Sequence, residues 1–156
     1  MKLLKLKTQE EFDGTILELE AKDFEKIKKS DQFLFDWILE KENSVFKITS
    51  ANQEEKEEIL GLISLSNIAE EFRIHINLVE VAKKNRGKDK KIDRIAGCLL
   101  AFATKAAFDK GYLGFTSLVP KTELIELYVT KYGFTQYGRQ LAIERQAAIN
   151  LIQKYL

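Results

Sequence analysis

The chain has 156 residues, 45% of them hydrophobic and 31% charged, with a formal net charge of +1; it is long enough to bury a core, too apolar for disorder, and too nearly neutral to be a polybasic coat for nucleic acid or membrane. With one cysteine, Cys98, and one histidine, His75, neither an internal disulfide framework nor a metal site is expected. The opening MKLLKLKTQEEF lacks the apolar core of a signal peptide and no apolar run is long enough to span a bilayer, so the expectation is a reduced, cytoplasmic protein without a membrane partner.

Lys2 to Lys7 alternate charged and apolar residues, which predicts a short strand at a sheet edge, closed by the polar break TQEEFDG. From about Ala21 to Glu42 the spacing turns helical. Phe24 and Ile27 start a stripe that Phe33, Trp37 and Ile38 continue beyond KKSD, where Ser30 or Asp31 would cap a second helix. SVFKITS, then ILGLISLSNIA after the polar turn NQEEKEE, then FRIHINLVEVA predict an antiparallel meander. In the third of these strands Ile74, Ile76 and Leu78 share one side, and His75, Asn77 and Val79 the other.

The second half changes rhythm. Ile95, Leu99, Phe102, Ala103 and Ala106 fall on one helical face, and Lys110-Gly111 ends it. GFTSLVP predicts a short strand and KTELIELYVTKYGF a helix with Leu124, Ile125 and Tyr128 inward, stopped at Gly133. LAIE predicts a last strand and RQAAINLIQKYL a terminal helix. Strands and helices in this order make a mixed sheet with flanking helices, class α/β (α+β). No repeat, linker or low-complexity tract divides it, so residues 1–156 are expected to form a single domain.

Charge is concentrated in one place. Residues 83–94, KKNRGKDKKIDR, hold seven basic and two acidic residues, and they lie between a strand, LVEVA, and the start of the long helix. A helix N-terminus offers unpaired N–H groups and the positive end of its dipole, and lysines and arginines around it add attraction. The placement favours an anion site, best used by a ligand with several phosphates. A solvated charged loop is the plain alternative. Nucleic-acid phosphate is a third reading, less favoured because the loop has no aromatic residue to stack on bases.

These elements resemble the GNAT (GCN5-related) N-acetyltransferases over roughly residues 59–144. VEVAKKNRG is similar to that family's strand exit and Arg-Gly entry, through Arg86 and Gly87. The family motif Q/R-x-x-G-x-G/A aligns with Lys91-Ile92-Asp93-Arg94-Ile95-Ala96, ahead of the pair Leu99-Leu100. Lys91 stands in place of Gln/Arg, and Arg94 in place of the first small residue. The resemblance implies an acyl-CoA N-acyltransferase fold whose fourth and fifth strands, here LVEVA and GFTSLV, run parallel and splay apart. It implies acetyl-CoA as cosubstrate, its pantetheine arm on backbone groups of Val79, Val81 and Ala82. The phosphates would meet Arg86, Gly87, Lys90, Lys91, Arg94, Ile95 and Ala96.

KTELIELYVTKYGF resembles the family's N-x-x-A-x-x-x-Y helix, with Lys121 in place of the Asn. That resemblance implies Tyr128 as the general acid that protonates the departing CoA thiolate, a sensible role for a phenol. Packing beside Leu124 and Ile125 is the competing explanation of Tyr128. For the base, Glu80 inside LVEVA is the first candidate and His75 the second, although Glu80 could equally pair with a nearby lysine and His75 face solvent or a helix. Cys98, near a helix start, reads as a small buried core residue more readily than as an activated thiol.

The implied reaction is direct acetyl transfer to a primary amine of unknown identity, with Phe33, Phe35 and Trp37 as generic candidates for the acceptor wall. The alternatives are a CoA-binding or protein-interaction module without turnover, and an RNA-directed acetyltransferase. A homodimer stays open.

Overall fold

The structure is a computed structural model that describes residues 1–51 and 57–156. Its strands are β1 (Lys2–Lys5), β2 (Glu10–Glu18), β3 (Ser44–Ser50), β4 (Ile59–Ile68), β5 (Arg73–Val81), β6 (Ile92–Asp93), β7 (Thr116–Leu118), β8 (Thr135–Tyr137) and β9 (Gln140–Ile143). Its helices are α1 (Ala21–Ser30), α2 (Ile95–Asp109), α3 (Ile125–Tyr132) and α4 (Arg145–Tyr155). The strands form one mixed sheet in the order β6-β1-β2-β3-β4-β5-β7-β9-β8. The chain divides into two compact units, Met1–Ser64 with Leu78–Leu99, and Leu65–Asn77 with Leu100–Leu156. Their boundaries fall inside β4, β5 and α2.

In the first unit, β1 pairs antiparallel with both β2 and β6. The expected edge position of β1 is therefore wrong, because the two-residue β6 lies outside it. The expected break at TQEEFDG is also wrong from Glu10 onward: Gln9 turns the chain at φ 58°, its N–H donating to Lys5 O at 2.8 Å, and β2 begins at once. A Cβ on Gly14 would meet Leu3 Cδ1 at 2.9 Å, so the bare backbone there lets the buried Leu3 cross β2. Helix α1 ends where Asp31 takes up a left-handed conformation at φ 58°. Buried Lys47 on β3 meets Asp23 of α1 at 3.0 Å and Glu57 at 3.0 Å, which ties helix to strand.

The second helix expected after KKSD does not form. The chain runs irregularly until a single 3-10 turn at Trp37–Glu40. Ile27, Trp37, Val45 and Leu62 form the core of this unit, with Phe24, Phe33 and Leu78 packed on it. The polar turn expected at NQEEKEE lies mostly in residues 52–56, outside the described residues. Gly61 receives the start of α2: a Cβ there would stand 2.8 Å from Ile95 Cγ2 and 3.0 Å from Leu99 Cδ1. A glycine in β4 thus lets the helix come down close on the strand.

In the second unit β5 and β7 are adjacent and parallel, in register Ile74↔Thr116, His75↔Ser117 and Ile76↔Leu118. Adjacent, parallel pairing is what was expected of these two strands from the strand–helix–strand order. Beyond that register β5 continues to Val81. β9 pairs antiparallel with β7 and with β8, a strand that the sequence reading passed over. Helix α3 ends at Gly133, φ 82°. Its face differs from expectation: Leu124 is 38% exposed, and Tyr128 and Tyr132 are the buried residues.

Candidate functional site

The basic loop belongs wholly to the first unit. At the β5 exit Val79 and Val81 are half-buried and Ala82 is buried. The N–H of Ala82 donates to Leu60 O at 2.9 Å and its carbonyl accepts from Asn85 N at 2.8 Å, so both its backbone groups are engaged within the chain. Val79 and Val81 remain the arm-binding candidates. A single 3-10 turn, Lys83–Asn85, leads to Arg86, which is 3.8 Å from Glu80. Gly87 follows at φ 72°, a left-handed position that glycine adopts without strain.

The far end of the loop is stitched to the N-terminal strand. Leu4 pairs with Asp93 and Lys5 with Ile92, and Leu6 N–H donates to Lys91 O at 2.9 Å. Lys90 Nζ meets Asp93 at 2.8 Å, while the Lys91 side chain is exposed. Asn85, a residue that sequence reading missed, is buried and accepts from Ile92 N at 3.2 Å, so one amide oxygen spans the loop. Its Nδ2 has no hydrogen-bond partner among the described residues. Nothing in an asparagine among lysines signals that role.

Arg94 carries the most informative backbone angle. It stands immediately before α2 with φ 79°, its carbonyl accepts from Cys98 N at 3.0 Å, and its Nε donates to Lys2 O at 2.8 Å. Non-glycine residues rarely adopt positive φ. The backbone here makes a turn that glycine would make most easily, at the position where the resembled motif has its first small residue. The side chain leans toward β1. Ile95 behind it is buried and Ala96 half-buried.

Glu80 is 4% exposed. Its carboxylate accepts from Leu34 N at 2.7 Å, Phe35 N at 3.3 Å and Trp37 Nε1 at 2.8 Å, with the Arg86 guanidinium beside it. Two further bonds join the same segments, Lys83 N to Gln32 O at 2.9 Å and Lys84 N to Gln32 Oε1 at 3.1 Å. These donors hold residues 32–37 as a strap against the β5 exit, which is why no helix forms there. A carboxylate so occupied positions a segment. Against the strap lies a cavity of about 570 Å³ walled by Phe24, Phe33, Phe35 and Trp37.

Tyr128 lies in the second unit, with Tyr132 at 5.9 Å and Phe134 edge-on at 5.8 Å between ring centroids. Burial raises its phenol above the usual range, so the ring keeps its proton at neutral pH. Its hydroxyl makes no hydrogen bond inside the core among the described residues. His75 Nδ1 is 2.8 Å from Ser117 Oγ and 3.2 Å from Arg73 Nη1. Burial and then the Arg73 charge lower its pKa. Burial pushes the Cys98 thiol up to about 11, against any activated role.

No protein-family model and no curated protein matches the chain. Solved structures do. A mutant form of the spermidine/spermine N-acetyltransferase SpeG from Vibrio cholerae superposes with TM-score 0.61 at 16% identity, covering 88% of this chain and 96% of that one. AtaTR bound with AcCoA gives 0.59 at 15% identity, covering 89% and 98%. The NatC complex bound to Gag peptide and CoA gives 0.61 at 13% identity, covering 85% and 99%. Likeness at such identities establishes the shared fold.

Proposed function

We propose that this chain, which has the fold of the GNAT acyl-CoA N-acyltransferases, transfers the acetyl group of acetyl-CoA to a primary amine. The observation that carries the reading is the left-handed turn at Arg94, φ 79°, between a loop rich in lysine and arginine and the first turn of α2. A phosphate is held by backbone N–H groups and by charge. The turn supplies the backbone course that a glycine-based motif would supply, and Arg86, Lys90, Lys91 and Arg94 supply charge. Gly87 and the first residues of α2, buried Ile95 and half-buried Ala96, complete the set of residues proposed to meet the phosphates through their backbone. Val79 and Val81 would bind the pantetheine arm through their backbone.

In the reaction the neutral amine nitrogen attacks the thioester carbonyl carbon. The C–N bond forms, the C–S bond breaks, and the thiolate of CoA leaves. Tyr128, its proton retained through burial, delivers that proton to sulfur. The extra proton on the nitrogen of the tetrahedral intermediate passes to water, and water returns a proton to the Tyr128 phenolate, so the side chain is restored. The donors on Glu80 support a positioning role for it, as the anchor of the strap, in place of the base role expected from sequence.

The test is a thermal-shift titration of the full chain with acetyl-CoA. A ligand that binds only the native state at about 100 times its Kd stabilises by roughly 2.7 kcal/mol, a rise of about 5–11 °C for a chain of this size. The folded double variant Lys91→Glu, Arg94→Glu should lose the rise. No rise in the parent chain at millimolar acetyl-CoA would end the proposal.

A further inference from the structure

We infer that the cavity under the strap selects a primary amine with an apolar, aromatic-sized body rather than a polyamine. This rests on the acetyl-transfer reading and deepens it by naming the acceptor class. Four aromatic residues, Phe24, Phe33, Phe35 and Trp37, line the cavity, and aromatic rings hold apolar groups and attract cations. Leu34 and Ile38, which also line it, are 77% and 48% exposed and add apolar surface. The cavity is no loose surface fold, since Glu80 and Gln32 bond its wall to residues 80–84 at the β5 exit. An occupant therefore lies beside the strand proposed to carry the pantetheine arm.

Charge decides between amines. The lining includes Glu25, Lys28 and Asp36. Glu25 is already paired with Lys29 at 3.2 Å, whereas Asp36 has no ion-pair partner among the described residues. One unpaired carboxylate suits one ammonium. A polyamine would bring several, would find Lys28 opposing it, and would gain little from four aromatic walls.

The protein carries a single tryptophan, and it lines this cavity, so Trp37 emission reports occupancy directly. The full chain is titrated with 2-phenylethylamine, with spermidine, and with 2-phenylethanol as the neutral analogue. The expected result is a saturable change with 2-phenylethylamine and at least roughly tenfold weaker responses to the other two. Asp36→Asn, an exposed substitution, should raise the apparent Kd about fivefold, and Phe35→Ala should raise it as well. Absence of a saturable change, tighter binding of spermidine, or an unaltered Kd in Asp36→Asn would each overturn the inference. Emission that shifts with protein concentration alone would mean that a second copy covers this apolar surface, and would overturn it too. The two readings fail separately: amine binding without acetyl-CoA protection removes the transfer reaction and leaves the cavity assignment, and acetyl-CoA protection without amine binding does the reverse.

Discussion

Replacing Glu80 by glutamine should unfasten the strap without changing its shape. In the native side chain Oε2 takes the Leu34 N–H at 2.7 Å, and Oε1 takes those of Trp37 at 2.8 Å and Phe35 at 3.3 Å. A glutamine has one acceptor oxygen. Turned one way, its NH₂ faces Leu34 N; turned the other, it faces the indole and Phe35 N. At least one buried donor is orphaned in either orientation, at a cost of about 1–3 kcal/mol. The surviving bonds lose their charge assistance, about 1 kcal/mol more. The sum is roughly 2–4 kcal/mol, a fall in Tm of about 4–16 °C. Urea denaturation, followed by Trp37 emission and by far-UV circular dichroism, gives the number, and an unchanged m-value shows that the compared states are the same. The native emission should also shift, because the indole N–H has lost its anion. A variant as stable as the parent to within about 0.5 kcal/mol, with unaltered emission, would refute the anchoring argument. A variant of full stability and abolished turnover would return Glu80 to the role of base.

Tyr128→Phe keeps the ring contacts with Tyr132 and Phe134 and should leave folding nearly unchanged, while single-turnover acetyl transfer falls by roughly 10²–10⁴-fold; unaltered turnover would reduce Tyr128 to a packing residue. His75 is held below its ordinary pKa of 6.5 by burial and by Arg73, with Glu71 opposing. The folded state therefore resists protonation that the unfolded chain accepts, so stability should be full above about pH 6.5 and decline as pH falls below it toward the depressed value. His75→Asn should flatten that part of the urea-midpoint profile, and an equally steep profile in the variant would locate the dependence elsewhere.

Helix α2 and strand β5 were legible because each carries an uninterrupted period that burial enforces, seen in the buried Ile95, Leu99 and Ala103 and in Ile74 and Ile76. The strap was misread for an equally physical reason. Phe33, Trp37 and Ile38 have helical spacing, yet the N–H groups of Leu34 and Phe35 go to a carboxylate 46 and 45 residues away. No local pattern contains that partner. Strand β2 was lost because EEFDGTILE looks polar and carries a glycine, and that glycine makes room for Leu3 from the neighbouring strand. At the candidate site, composition pointed to the loop, but side-chain identity at position 94 concealed a turn that is a property of the backbone. Asn85 and the burial of Glu80 became visible only once distant segments were brought together.

The stitching of the basic loop to the first strand also bears on the order in which the chain acquires its parts. Helix α2 is closed by bonds between residues a few positions apart, and such bonds form within about a microsecond. The entrance to that helix is different. Its pairing is with Leu4 and Lys5, and the bond from Arg94 to Lys2 closes 92 residues of chain. A loop of that length meets its entropy cost before its contacts repay it. A refolding molecule therefore has its long helix before it has the rigid mouth of that helix, and competence to hold an anion there arrives only when the N-terminal strand docks.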